Sequence, residues 1–264
     1  MKLTQKTALI TGASSGLGYE FAKLFAKAGY NLILVARRTD RLETIQAELS
    51  QNTAISIKII TIDLAEPNAA QQLVQKIQSE AIHVLINNAG FGNFDSFVNI
   101  DLIQDYRLLQ LNIIALTELT KLCLPNMLQQ NEGKILNVAS IAAFQPGPYM
   151  ATYFASKAYV LSFSQALAHE LKDSGITVTC LCPGPTETEF HFHAKMESST
   201  FFQANMMSAK KVAEIGYHAM MKGQWVIIPG IINKVLIFAT RLVPSWISTK
   251  ISGFLISKRQ SKIK

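Results

Sequence analysis

One helical turn separates Tyr153 from Lys157 in Tyr153-Phe-Ala-Ser-Lys157, so a phenol and an ammonium share a face, and Ser140 lies thirteen residues upstream. A phenol titrates near ~10 in water, and a nearby cation favours its ionised form. Lys157 is therefore expected to draw Tyr153 toward the working pH, where it exchanges a proton with a substrate oxygen. The Ser140 hydroxyl supplies a hydrogen bond to that same oxygen. Such a pair also arises on ordinary helix surfaces, so its meaning depends on the elements that position it.

The apolar run Lys6–Ile10 ends in Thr11-Gly12-Ala-Ser-Ser-Gly16-Leu-Gly18, and helical periodicity follows from Tyr19 to Gly29 with Phe21, Leu24, Phe25 and Ala28 as the expected buried stripe. Strand, glycine turn and helix in that order make a phosphate cradle. Glycines permit the tight turn and close approach of a ligand, and the free N–H groups and dipole of the helix start attract a pyrophosphate. The spacing differs from G-x-G-x-x-G. A second apolar strand, Asn31–Ala36, ends in Arg37-Arg38 where an NAD enzyme would place an acid for the ribose 2′-hydroxyl. Guanidinium groups hold a 2′-phosphate, so NADP(H) is the expected cofactor.

The chain has 264 residues, 49% of them hydrophobic, enough for one domain with a substantial core. Apolar runs at about 7–10, 31–36, 56–62, 82–87, 133–139, 176–182 and 224–229 alternate with helical stretches. That alternation predicts an α/β fold with a parallel sheet covered on both faces. Cys123, Cys180 and Cys182 form no disulfide framework, and the N-terminus leads straight into the first strand, which fits a cytoplasmic setting. His191 and His193 near Glu187 and Glu189 are read as loop polarity, so no metal is expected.

The chain resembles the short-chain dehydrogenase/reductase family. Its Thr-Gly-x-x-x-Gly-x-Gly turn is matched by Thr11, Gly12, Gly16 and Gly18, and Asn87-Asn88-Ala89-Gly90, Asn112, Ser140, Tyr153 with Lys157, and Pro183-Gly184 follow in the family's order. The resemblance implies a Rossmann-type doubly wound sheet of seven strands in the order 3-2-1-4-5-6-7. It implies Asn112, Ser140, Tyr153 and Lys157 as catalytic residues, with Asn112 supporting a water chain to Lys157. The implied cofactor contacts are Gly12, Ser14, Ser15, Gly16, Leu17, Gly18, Arg37, Arg38, Asp63, Leu64, Asn88, Ala89, Gly90, Tyr153, Lys157, Pro183, Gly184 and Thr188. It further implies a homodimer or homotetramer paired through the helices that carry Asn112 and Tyr153.

Residues 1–230 then form the catalytic domain, with a substrate lid at about 185–207, and 231–264 form an extension. The lid carries Phe190, Phe192, Phe201, Phe202, Met206 and Met207, expected to line a pocket for a hydrophobic ketone, aldehyde, acyl chain or steroid-like molecule beside Ser140 and Tyr153. The leading expectation is carbonyl reduction; secondary alcohol oxidation is the runner-up, and a noncatalytic NADP(H) sensor is disfavoured by the intact Ser140, Tyr153 and Lys157 set.

After Gly230 stand seven cations and no acid, which equals the whole net charge of +7. The body is near neutral, so nucleic acid is not an expected partner. In the extension, cations alternate with aliphatic and aromatic residues, and Pro244 divides it. Two readings stand: a segment lying in an anionic membrane interface, or one packed over the active site or a second subunit.

Overall fold

The computed structural model describes residues 5–189 and 206–257. Strands β1 (Thr7–Thr11), β2 (Asn31–Ala36), β3 (Ile57–Thr61), β4 (Ile82–Asn87), β5 (Gly133–Val138) and β6 (Ile176–Leu181) alternate with helices α1 (Gly16–Lys27), α2 (Thr39–Asn52), α3 (Ala69–Lys76), α4 (Leu102–Leu109), α5 (Leu116–Gln130) and α6 (Ala151–Glu170). Beyond them lie β7 (Thr186–Glu187), β8 (Met207–Ser208), α7 (Ala209–Met221), β9 (Val226–Ile227), α8 (Ile231–Leu242) and α9 (Ser245–Ser257). The main sheet is parallel with the order β3-β2-β1-β4-β5-β6-β9, which is the expected seven-stranded, doubly wound sheet. Its seventh strand is shorter than the apolar run at 224–229.

Period-two alternation divides the core between the two sheet faces. Leu32 and Leu34 join Phe21 and Phe25 on one face, whereas Ile33 and Val35 join Leu73, Leu119 and Met127 on the other. Helix α1 buries Ala22 and Ala26 with Phe21 and Phe25, while Leu24 is half-buried and Ala28 is exposed. The expected stripe is thus rotated by part of a turn, because the helix starts at Gly16 and has ended when the chain reaches Ala28.

Order reverses between β1 and β4, so their carboxyl ends diverge and open a crevice there. A buried polar network stiffens the floor next to it. Asn87 Nδ2 donates to Thr120 Oγ1 at 3.0 Å and Asn137 Oδ1 at 2.9 Å, and Asn137 Nδ2 donates to Ser164 Oγ at 2.9 Å. These bonds tie α5, β4, β5 and α6 together. Residues Leu102–Gln130 run as one helix, long and apolar enough by length and composition to cross a membrane; here its Leu108, Leu119, Cys123 and Met127 are buried in the fold. A wider π-turn at Gln110–Ala115 interrupts it, and Asn112 sits in that turn at 1% exposure.

Two further features flank the site, the first of which lay beyond the sequence pattern. Strands β7 and β8 pair in parallel, Thr186 with Met207 and Glu187 with Ser208, bringing the two ends of the expected lid together. Helices α8 and α9, divided at Pro244, pack beside the site, with α8 against a short 3₁₀ turn at Ile141–Phe144.

Candidate active site

The turn after β1 is shaped by its neighbours. Gly12 has φ +65°, and a Cβ there would stand 2.7 Å from Asn88 Nδ2. Thr11 Oγ1 donates to the Ile86 carbonyl at 3.2 Å and accepts from the amides of Asn88 and Ala89, at 3.0 and 3.1 Å. Asn88 Nδ2 returns to the carbonyls of Thr11 and Gly12, at 2.9 and 3.2 Å. The ends of β1 and β4 are therefore one unit. Ser15 flanks α1 with no side-chain cap, leaving the first amides of the helix directed toward the cavity lined by Ser14, Ser15, Gly16 and Leu17. Thr188 lies over this turn, with its methyl 3.0 Å from where a Gly16 Cβ would be.

Arg37 and Arg38 follow β2 at the same end. Arg38 Nη2 donates to Ser14 Oγ at 3.2 Å and pairs with Glu189 Oε2 at 2.8 Å. Arg38, Ser15 and Arg41 together hold the Glu189 carboxyl below its ordinary range. An anion thus already rests in the cradle where a 2′-phosphate is expected, and it comes from the first residues of the lid. Arg37 makes a looser 3.8 Å pair with Asp63. Asp63 Oδ2 accepts from Arg107 Nη2 at 2.6 Å, its Oδ1 accepts from the Ala65 amide at 3.0 Å, and Arg107 also pairs with Glu66. Asp63 and Leu64 line the cavity as expected, with the Asp63 carboxylate committed to these partners.

At the other end Tyr153, on α6, is 8% exposed, and Lys157, one turn on, is 5% exposed. Lys157 Nζ donates to the Val138 carbonyl at 2.9 Å and lies 5.8 Å from the centre of the Tyr153 ring. Here the expected electrostatics are corrected. Burial pushes the Tyr153 phenol up to about 12 against a hydrogen bond from Ser140 that favours the anion, and burial pushes Lys157 down to about 8. Desolvation outweighs the Ser140 hydrogen bond at Tyr153 and the attraction of Cys180 and Cys182 at Lys157, because both groups sit inside the protein. Ser140 Oγ also accepts from the Ala142 amide at 3.1 Å, which fixes it at the mouth of the 3₁₀ turn.

Asn112 joins the two halves. Its Oδ1 accepts from the Phe91 amide at 3.1 Å, and its Nδ2 donates to the Phe91 carbonyl at 3.0 Å and to Ser156 Oγ at 3.0 Å. Ser156 in turn donates to the Tyr153 carbonyl at 2.7 Å. Asn112 therefore holds the loop after Gly90 against the helix of the tyrosine.

Most of the expected groups face one cavity of about 690 Å³, whereas Asn112 does not line it and acts on the Phe91 loop and Ser156 behind its wall. The cavity contains the expected Gly12, Ser14, Ser15, Gly16, Leu17, Arg37, Arg38, Asp63, Leu64, Asn88, Ala89, Gly90, Ser140, Tyr153, Lys157, Pro183, Gly184 and Thr188. Gly18 does not line it; it packs on the Gly12 carbonyl and lets α1 approach the turn. Phe190, Phe192, Phe201 and Phe202 lie outside the described residues. The apolar wall that is described comes instead from Phe91, Ile141, Met150 and Phe154, with Gln145 and Ser252 beside them. Met150 and Phe154 flank Tyr153 at helical spacing, a signal present in the sequence; Arg107, Glu189 and Ser252 had none, since only tertiary packing brings them in.

The residues fit a dinucleotide. An uncapped helix start, a glycine cradle and two arginines suit phosphates at one end, and a phenol, a hydroxyl and an ammonium suit a carbonyl oxygen at the other.

Comparison with known proteins agrees. Residues 6–200 match the family model for short chain dehydrogenase. A short-chain dehydrogenase from Sphingobium yanoikuyae, solved with NADPH, is 34% identical, with 86% of this chain and 88% of that one aligned at a TM-score of 0.80. A bulky-bulky ketone specific alcohol dehydrogenase from Comamonas testosteroni is 30% identical over 90% and 92% of the two chains, with a TM-score of 0.77. Mouse (Mus musculus) 17-beta-hydroxysteroid dehydrogenase type 3 is 33% identical over 178 residues, 67% of this chain and 58% of that protein. The chain spans 61% and 58% of the first two curated relatives it matches. With the family's motifs in place around one cavity and the family model covering most of the chain, the protein belongs to the short-chain dehydrogenase/reductase family.

Proposed function

We propose that the protein is an NADP(H)-dependent oxidoreductase that reduces the carbonyl of a hydrophobic substrate to an alcohol. The observation that carries this reading is a single cavity with Arg37 and Arg38 at one end and Ser140, Tyr153 and Lys157 at the other. Gly12, Ser14, Ser15, Gly16 and Leu17 would hold the diphosphate, Arg38 with Ser14 the 2′-phosphate, and Lys157 the nicotinamide ribose. When bound, the reduced nicotinamide supplies the hydride.

The chain's own groups handle the oxygen. Ser140 Oγ orients the carbonyl, and Tyr153 gives its proton to the oxygen as negative charge develops there. Because burial keeps the phenol protonated to about 12, Tyr153 enters the reaction as an acid at neutral pH. The charge on Lys157 would favour the phenolate left behind. Asn112 keeps the Phe91 loop and α6 in register through its three hydrogen bonds.

The substrate class is supported by Phe91, Ile141, Met150 and Phe154 on the wall, and by the ketone specificity of the Comamonas relative. The mouse hydroxysteroid dehydrogenase favours a second reading, alcohol oxidation, which the same residues perform in reverse. Exposed Ile114, Leu122 and Tyr159 around α5 and α6 support pairing of copies there, and three free thiols suit a reducing compartment. The test is NADPH consumption against ketones, aldehydes, 3-oxoacyl thioesters and ketosteroids. Turnover that rises with substrate apolarity is expected; turnover confined to polar sugars would refute the substrate class.

A further inference from the structure

Over residues 245–254, helix α9 is inverted relative to an ordinary surface helix. Among its described side chains, which are those of 245–254, the buried positions are Ser248 and Ser252, at 5% and 3% exposure, whereas Trp246 and Ile251 are 60% and 54% exposed. Helix α8 continues the pattern. Asn233 and Ile237 face inward, and Ile231, Val235, Phe238 and Leu242 form an outward stripe at spacings of four, three and four residues, each at least 61% exposed. Apolar side chains turned outward while serines and an asparagine turn inward require a cover for the outer face.

Charge identifies the cover. Lys234, Arg241 and Lys250 are exposed on these two helices, and no acid occurs after Gly230. A second copy meeting this face would bring the same cations against it. Lys250 Nζ lies 5.1 Å from the centre of the Trp246 ring, so an amphipathic aromatic and a cation stand together, the combination suited to the headgroup layer. At 12 and 13 residues, both helices are too short to span a bilayer, which takes ~20. They are built to lie in its surface.

We propose that α8 and α9 seat the protein on an anionic membrane, with the active-site cavity opening beside the contact. Ser252, on the inner side of α9, lines that cavity, and Arg241 stacks 5.9 Å from the Phe144 ring at the 3₁₀ turn that begins next to Ser140. A substrate dissolved in the bilayer thus reaches Tyr153 without crossing water. Docking stands apart from the proposed reaction; only this route for the substrate rests on it.

The test is flotation of the full chain with vesicles of phosphatidylcholine, with and without about one-third phosphatidylserine. Trp246 emission is followed as well, assigned by Trp246→Phe. Binding to the anionic vesicles that weakens with salt, with a blue shift of Trp246, is expected. Lys234→Gln, Arg241→Gln and Lys250→Gln together should weaken it by about a hundredfold, from about fivefold per cation. Val235→Ser with Phe238→Ser should also abolish the shift, and retained NADPH binding by calorimetry shows that each variant is folded. Failure of the folded wild type to bind anionic vesicles overturns the proposal. So does equal binding to neutral vesicles, or a dimer that dissociates on Phe238→Ser with no vesicle binding. Catalytic failure with intact vesicle binding would count only against the reaction.

Discussion

Replacing Glu189 with Gln should tighten NADPH binding and leave NADH binding unchanged, because Glu189 occupies the anion cradle on Arg38 at 2.8 Å. Both side chains are 40% exposed, so the pair is a screened surface bridge of about 0.5–1 kcal/mol. A 2′-phosphate must displace it to reach Arg38, and its removal should therefore lower the NADPH dissociation constant about two- to fivefold. Arg38→Gln has the opposite sign. It removes a charge-assisted hydrogen bond of about 1.5–3 kcal/mol, a loss of about tenfold to a hundredfold for NADPH and little for NADH. In the double variant, most of the gain from Glu189→Gln should vanish, since Arg38 is the main partner of that carboxylate. Calorimetric titration of both cofactors at about 0.15 M salt measures all four proteins. Equal tightening of NADH and NADPH by Glu189→Gln, or equal weakening of both by Arg38→Gln, would refute the cradle assignment.

Other residues give independent outcomes. Lys157 has its pKa lowered to about 8 from 10.5, so between those values the unfolded chain binds more protons at this site and stability rises with pH; Lys157→Met should flatten that rise in urea midpoints, and an unchanged slope would contradict the burial argument. Reductive kcat/KM should fall above pH about 8 as Lys157 loses its charge, and a plateau to pH 10 would count against its electrostatic role. Asn112→Ala strips partners from the Phe91 amide and carbonyl and from Ser156. About 3 kcal/mol should be lost, seen as a Tm drop of about 6–12 °C. A drop below about 2 °C would show that those groups find other partners. Gly18→Ala puts a methyl onto the Gly12 carbonyl and should abolish cofactor binding by calorimetry, whereas near-normal binding would mean that the turn yields easily.

Apolar runs alternating with helical stretches made the parallel sheet legible from the chain, and its strand order came from the family resemblance. The convergence of Tyr153, Lys157, Ser140 and Arg38 on one cavity was legible too, from helical spacing and motif order. Their electrostatics were not. Proximity argued for a depressed Tyr153, but the depth of burial that pushes it to about 12 is a tertiary property. Arg107 and Glu189 were invisible because each reaches the site from an element with no periodic or motif signal. The extension's outward apolar stripe was hidden as well, since sequence shows an amphipathic helix but not which face it turns to the protein.

The central claim, that Tyr153 delivers the proton in a carbonyl reduction, is tested most directly by NADPH oxidation on a bulky apolar ketone with Tyr153→Phe beside the wild type. The variant loses only the hydroxyl of a buried ring, so NADPH binding should persist while turnover falls by about a hundredfold to ten-thousandfold. Wild-type turnover that survives unchanged in Tyr153→Phe would contradict the account.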